Sequence, residues 1–412
     1  MINNLFQNFL QTLLTNQPKR QLNLLYFFAT FVFLFIAILA RFHVSICEPD
    51  TMTYFDSGEI WAKGIIDKVR TPVYPIICHL STYLGPFSLW TIVLLQFFVF
   101  CLSIKWLFNT LRLIFPDKHL TVFVSTALYA VNPAIVQNAL SIMTESLSLS
   151  MTVLLLFIIV KGIKQKFAAK DVAGISVLYV VMLLIRPFFI CFAPILVLFL
   201  FWINRTSTWR TIVASAIGVV LVGGVYLGYC YAYKQKYGVF TTTCVSVINF
   251  DAQLYEAGLI ESPVYKLDNF DVVLANNRIV ETRNAHFMTW VKHEIKETML
   301  SGRQRFPLAS LQYGGILIQL FVLQVPLSVV YLLTLIFGCW KFWQLIKYRS
   351  DVRIEAILFL IVVATVFTSV WGAFSNYSRL ILPAYPCVCI IIAYFAQALK
   401  LRTDWSIGVN SR

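Results

Sequence analysis

Charge is scarce in this chain. Of its 412 residues only 13% are Asp, Glu, Lys or Arg, against 59% apolar and 16% aromatic. The mean hydropathy is +0.76. A soluble domain is about one quarter charged, so a water-soluble fold is excluded and the chain reads as an all-α polytopic membrane protein. Paired cysteines are missing too. None of the nine Cys residues forms a Cys-x-x-Cys pair, and most lie in apolar runs, where Cys acts as a small hydrophobe. Neither a disulfide framework nor a zinc site is expected. There is no repeat of fixed period and no low-complexity segment. The net charge is +14, but no basic soluble face exists on which a nucleic acid could bind.

What is present in quantity is apolar sequence. About ten spans are expected, at residues 22–40, 87–108, 119–132, 144–160, 172–186, 188–203, 211–230, 313–336, 355–371 and 380–399. The third is short for a bilayer, and Asn132-Pro133 breaks it. The fifth and sixth meet at a tight hairpin, Arg186-Pro187. The run from Leu22 has no small-residue cleavage site behind it and is expected to stay as the first helix. Eighteen Lys and Arg fall in one set of connections and six in the short loops of the other. The richer side is expected to be cytoplasmic, with both termini inside. This organisation gives residues 1–230 as an N-terminal transmembrane catalytic module, 231–312 as an extracytoplasmic loop and 313–412 as C-terminal transmembrane helices. The loop carries nine basic and eight acidic residues and a helix-like run from Ala285 to Leu300. The first outer loop is expected to carry juxtamembrane helices.

The few ionisable residues near the apolar runs are informative, because charge beside a bilayer is costly and marks function. Glu48, Asp50, Arg70, Glu145, Arg186 and Arg379 all fall at the outer ends of spans, and they come from four loops. Three are Arg, whose fork of donors suits a phosphate. The carboxylates suit a general base. Each has a plainer reading. Asp50 could cap the helix that follows it, and Arg186 could snorkel from a hairpin. Glu145 could complement a helix N-terminus. His43 and His79 read as packed or interfacial. His286 and His293 are seven residues apart without an acidic partner, so no metal site is expected.

The motifs in this order carry a resemblance. Pro49-Asp50 is followed by Tyr54 and by Trp61-Ala62-Lys63-Gly64, and then by Arg70-Thr71-Pro72-Val73-Tyr74-Pro75. Asn132-Pro133 precedes Met143-Thr144-Glu145. Leu184-Ile185-Arg186-Pro187 follows, and Ser378-Arg379-Leu380-Ile381-Leu382-Pro383 stands near the end. Together they resemble the GT-C superfamily of membrane glycosyltransferases over about residues 20–400. The protein mannosyltransferases, lipid A aminoarabinose transferase and their bacterial relatives are the nearer likeness. The chain departs from that pattern at Asp50-Thr51, where the family often has Asp-Glu, and at Arg379-Leu380, where it often has Arg-Tyr.

The resemblance implies a hexosyl or pentosyl transferase that takes sugar from a polyprenyl-phosphate donor and passes it to a lipid, glycan or protein acceptor. The reaction would occur at the outer face of a bacterial inner or plasma membrane. Asp50 is then the general base, with Glu48 or Glu145 as its partner. Tyr54, Arg70, Tyr74, Arg186 and Arg379 would bind substrate. The sequence has no metal-binding Asp-x-Asp and no nucleotide loop, so no cofactor is expected. Two alternatives stay open: a polysaccharide polymerase or ligase, and a transporter of lipid-linked sugar.

Overall fold

A computed structural model of the chain describes residues 17–39, 49–204, 208–263, 271–300, 327–348, 351–372 and 382–409. No strand occurs among the described residues, and the regular structure is helical throughout. The protein is an all-α polytopic membrane protein, as its composition dictates. Among the described residues, five helices are long and apolar enough to cross a membrane: Pro18–Leu39, Gly85–Ile114, Glu145–Gln165, Trp209–Tyr237 and Leu382–Leu399. His119–Ala130 and Pro187–Leu200 are shorter apolar helices.

In chain order the first elements are α1 (Pro18–Leu39), α2 (Pro49–Ala62), α3 (Val73–Thr82), α4 (Ser88–Ile114) and α5 (His119–Ala130). The break expected at Asn132-Pro133 is real. Proline cannot continue a helix but starts one well, and Pro133 opens α6 (Pro133–Leu140). Next come α7 (Glu145–Gln165), α8 (Ala169–Ile185), α9 (Ala193–Asn204) and α10 (Trp209–Tyr237). The connection at Arg186-Pro187 is longer than a tight hairpin, because a 3-10 helix over Pro187–Phe192 follows the extended Arg186. Helix α10 carries on beyond 230 to Tyr237 and stops at Gly238, which takes the left-handed conformation that ends many helices. The eighth expected span lies partly outside the described residues. Its helix, α13 below, runs to Tyr348 rather than ending near 336.

Two arrangements position the site. The first is the α2–α3 hairpin in the first loop. Gly64 at φ +72° lets the chain reverse after α2. Gly58 lets the two helices touch, since a methyl group there would overlap the Pro75 carbonyl oxygen. The second is the side-by-side packing of α4 and α7, with α8 on the other side of α7 and α10 against α8. The inner surface of α7 is unusually polar for a span. Glu145, Ser146, Ser148, Ser150 and Thr152 are all buried, and the Thr152 hydroxyl donates to the Ser148 carbonyl at 2.9 Å. Satisfying such groups within the bundle is required where no water is available.

The larger loop contains α11 (Val245–Glu256) and α12 (Val272–Leu300). They pack on each other around Val247, Leu254, Ala275, Ile279 and Trp290, a small apolar cluster separate from the main one. The helix expected from Ala285 begins earlier, at Val272, and is kinked at His286. The remaining helices are α13 (Leu327–Tyr348), α14 (Arg353–Gly372) and α15 (Tyr385–Val409).

The close α2–α3 approach generates a prediction. Gly58→Ala should destabilise the protein by about 1–3 kcal/mol through overpacking. Gly174→Ala, at a helical glycine with open space around it, should be neutral or slightly stabilising. Thermal unfolding of both variants in detergent tests this, and equal melting temperatures would refute it.

Candidate active site

Helix α2 begins at Pro49, which puts Asp50 inside its first turn and not at the cap position. A carboxylate there still meets the positive end of the helix dipole. The Thr53 hydroxyl donates back to the Asp50 carbonyl at 2.7 Å. Arg70, in the loop leading to α3, reaches the same turn. Its Nη2 donates to Asp50 Oδ1 at 2.6 Å, and its Nε donates to Thr53 Oγ1 at 3.0 Å. The guanidinium lies 4.5 Å from the centre of the Tyr54 ring, within cation–π range. Burial alone would lower the Arg70 pKa. The neighbouring Tyr54 and Asp50 outweigh it, so the guanidinium is held more firmly protonated than usual.

A second pair stands beside the first. Glu145 is the first residue of α7, with Thr144 before it. It accepts an ion pair from Arg186 Nη2 at 3.2 Å. Arg186 sits in the extended link after α8, and its guanidinium lies 5.6 Å from the Phe188 ring centre. Tyr54 joins the two pairs. Burial pushes its phenol pKa up. Arg70 opposes that rise, Glu145 and Asp50 add to it, and a hydrogen bond with Thr144 also opposes it. The ends of α2, α7 and α8 are tied together by main-chain contacts as well. Thr71 Oγ1 donates to the Ile185 carbonyl at 3.2 Å, and Thr51 Oγ1 to the Ile142 carbonyl at 3.4 Å.

The structure thus brings together Asp50, Tyr54, Arg70, Glu145 and Arg186. Glu48 and Arg379 lie outside the described residues. Tyr74 is in the cluster but is fully buried. Its ring meets the Tyr54 ring edge-on at 4.8 Å, and its hydroxyl donates to Gln96 Oε1 at 2.8 Å. His79 packs edge-on against Tyr83 at 5.6 Å. Among the described residues no three His, Cys, Asp or Glu side chains converge as metal ligands do.

Two further residues matter that sequence reasoning passed over. Asp67 is buried, and its Oδ2 accepts from Ser57 Oγ at 2.8 Å, Val69 N at 2.9 Å and Arg70 N at 2.6 Å. This is an Asx-turn, and it fixes the backbone from which Arg70 projects. The signal was there in Asp67 standing three residues before Arg70. Gln96 lies in the interior of α4 and is fully buried. Its amide donates to the Ala139 carbonyl at 3.2 Å and the Ser141 carbonyl at 2.8 Å. It therefore joins Tyr74 to the turn that delivers Glu145. A carboxamide inside an apolar span is itself the signal.

Asp67→Ala should leave the backbone N–H groups of Val69 and Arg70 without their acceptor, at a cost of about 1–3 kcal/mol. Asp67→Asn keeps an oxygen at that place and should lose less. Melting temperatures of the two variants in detergent check this order, and a milder Ala variant would refute it.

Residues 69–228 match the family model described as dolichyl-phosphate-mannose-protein mannosyltransferase. No curated protein matches the chain by sequence. Among solved structures, the chain is similar to the oligosaccharyltransferase of Archaeoglobus fulgidus. The apo form is 12% identical over 93% of this chain and 52% of that one, with a TM-score of 0.47. The form tethered to an acceptor peptide containing the NVT sequon is 12% identical over 91% and 50%, with a TM-score of 0.48. The complex with an inhibitory peptide and a dolichol-phosphate is 12% identical over 93% and 52%, with a TM-score of 0.44. The chain spans about half the length of these structures. The family match begins at the segment that carries Arg70 and runs through Glu145 and Arg186, and it bears out the resemblance to the GT-C superfamily read from the motifs.

Proposed function

We propose that this protein is a glycosyltransferase of the GT-C type. It moves a hexosyl or pentosyl group from a polyprenyl-phosphate carrier to a lipid, glycan or protein acceptor, with inversion at the anomeric carbon. It works on the extracytoplasmic face of a plasma or bacterial inner membrane, with both termini cytoplasmic. The observation that carries this reading is the pair of arginine–carboxylate bridges meeting around Tyr54 at one end of the bundle. The name of the matching family describes transfer from a dolichyl-phosphate sugar, which supports a polyprenyl-phosphate donor.

The chemistry asks for two things. The acceptor hydroxyl must lose its proton as its oxygen bonds to the anomeric carbon. The bond from that carbon to the carrier phosphate must break, and the phosphate leaves with the electron pair. Asp50 is the base in this reading. Its side chain is 34% exposed, whereas that of Glu145 is 1% exposed, so of these two carboxylates Asp50 is the one within reach of solvent. Arg70 holds Asp50 in place at the bundle edge. A positioned base contributes about a hundred- to ten-thousand-fold in rate.

Arg186 and Arg70 suit the departing phosphate. Arg186 Nη1 is buried and has no hydrogen-bond acceptor among the described residues. Such an unsatisfied donor is costly, and a phosphate oxygen would satisfy it. Preorganised cations aimed at charge that develops on departure act more strongly in a low-dielectric site than in water. Glu145 holds Arg186 in place from below. Both ion pairs lie at helix ends, which favours this reading over a transporter, whose site lies near the bilayer midplane. The α11–α12 module is bonded to the Arg70 loop, with Thr243 Oγ1 donating to the Val69 carbonyl at 2.6 Å. It is the element placed to choose the acceptor.

The test is sugar transfer from a panel of radiolabelled polyprenyl-phosphate sugars, in membranes holding wild type or Asp50→Asn at equal expression. Wild type should release sugar from one donor, and the variant should be slower by about a hundredfold or more. Equal rates would remove Asp50 as the base. A wild type that transfers nothing from any donor would move the polymerase and transporter readings ahead.

A further inference from the structure

At the far end of the bundle from the Asp50 cluster, the C-terminal parts of α4 and α7 form an open hollow of about 370 Å³. Asn109, Arg112, Leu113, Phe157, Lys161 and Gln165 line it. The volume lies within the usual range for a small-ligand pocket, about 300–1,000 Å³. Its depth follows from helix geometry. Lys161 is sixteen residues along α7 from Glu145, which is roughly 24 Å at 1.5 Å per residue. A hydrocarbon core is about 30 Å thick. If the Asp50 cluster stands at one membrane interface, this cavity opens at the other, where lipid phosphates lie.

We propose that this cavity is a headgroup site for an anionic phospholipid, one carrying a phosphodiester and free hydroxyls. Its two cations come from different helices and face one hollow. Both side chains are half-buried. No carboxylate lines the cavity, and neither cation forms an ion pair with another described residue. Arg70, Arg186 and Lys341, also half-buried, each have a carboxylate partner within 4 Å. The Arg112 guanidinium supplies a planar fork for phosphate oxygens and Lys161 a point charge. Asn109 and Gln165 offer carboxamides to headgroup hydroxyls, and Leu113 and Phe157 give the acyl chains an apolar wall. Basic pockets between membrane helices hold lipid headgroups on these terms.

The plainer reading is that each cation complements the dipole of its own helix and adds to the charge asymmetry of the loops. The two readings part on specificity. On the plainer one, any basic residue at this end attracts anionic lipid equally. On the headgroup reading, the two cavity residues dominate.

The experiment uses delipidated full-length protein in detergent, titrated with phosphatidylglycerol or phosphatidylcholine, with bound lipid counted by native mass spectrometry. Wild type should prefer phosphatidylglycerol. Arg112→Ala with Lys161→Ala should weaken its binding by about twenty-five-fold, from two cations worth about fivefold each. Lys161→Arg should keep most of the affinity. Lys164→Ala with Lys170→Ala removes the same charge at two exposed positions outside the cavity and should change binding little. Unfolding in phosphatidylcholine should be alike for all variants, so that a lost fold is distinguished from a lost site. The proposal is overturned if the cavity variant binds phosphatidylglycerol as wild type does. It is overturned too if the control pair loses as much. Displacement of the lipid by equimolar inorganic phosphate would instead make this a site for a free anion.

Discussion

Two guanidinium–carboxylate pairs stand at the edge of an apolar bundle, and much of the local structure follows from holding them in place. Taking charges out of water costs several kcal/mol per ion, and their mutual attraction repays this only when geometry is good and the remaining donors are satisfied. Arginine cannot escape by giving up its proton. The protein therefore has to hold the partners still. Arg70 is held on three sides, by Asp50, by the Thr53 hydroxyl and by the Tyr54 ring. Arg186 is held by Glu145 and lies over Phe188.

The holding is done by main chain as much as by side chains. Residues 66–70 form a strip whose carbonyls are used by distant parts of the chain. Tyr237 and Lys236, at the end of α10, both donate to the Ile66 carbonyl at 2.8 Å. Tyr233 Oη donates to the Lys68 carbonyl at 2.9 Å, and the Cys244 amide to the same oxygen at 3.0 Å. Trp61 Nε1 donates to the Arg70 carbonyl at 3.0 Å. Asp67 binds the strip from within. Helix α10, the α2 hairpin and the α11–α12 module thus converge on the backbone that aims Arg70. A shift in the α11–α12 module would be felt at Arg70, because the same few peptide units serve both.

The class of fold was legible because a bilayer allows few solutions. Backbone groups in hydrocarbon must be satisfied within the segment, so apolar runs such as Pro18–Leu39 and Glu145–Gln165 had to be helices. Glu145 was readable as the first residue of a helix, and Asn132-Pro133 as a break. The site was legible in part for the same reason, since Asp50, Arg70, Glu145 and Arg186 are costly where they stand. What remained hidden depends on tertiary pairing. Nothing in the sequence says that Arg70 chooses Asp50 while Arg186 chooses Glu145. Asp67 drew no reading, because two of its partners are backbone amides that carry no sequence signature. Gln96 was hidden by the apolar run around it. Tyr74 carried a motif and was read as a contact for substrate; it lies buried between Tyr54 and Gln96, contacts that only tertiary pairing reveals.

The two carboxylates are alike in chemistry and in partner, and their difference in exposure separates what each can do. A base must meet the hydroxyl it deprotonates within about 3 Å. Glu145, closed off beneath Arg186 and among the buried serines of α7, meets that condition only if the bundle opens. Breaking its pair would leave an unmatched buried charge, a cost of about 3–5 kcal/mol. Its place is to keep Arg186 oriented. Asp50 stands on a short helix outside the spans, and losing its partner costs less there because water reaches it. A residue whose charge can be neutralised and restored in each turnover belongs at such a position. A residue whose charge must never change belongs at the other. On the proposed function, the exposure of the two side chains, set by where α2 and α7 begin, would divide the labour between proton transfer at Asp50 and the steadying of Arg186 by Glu145.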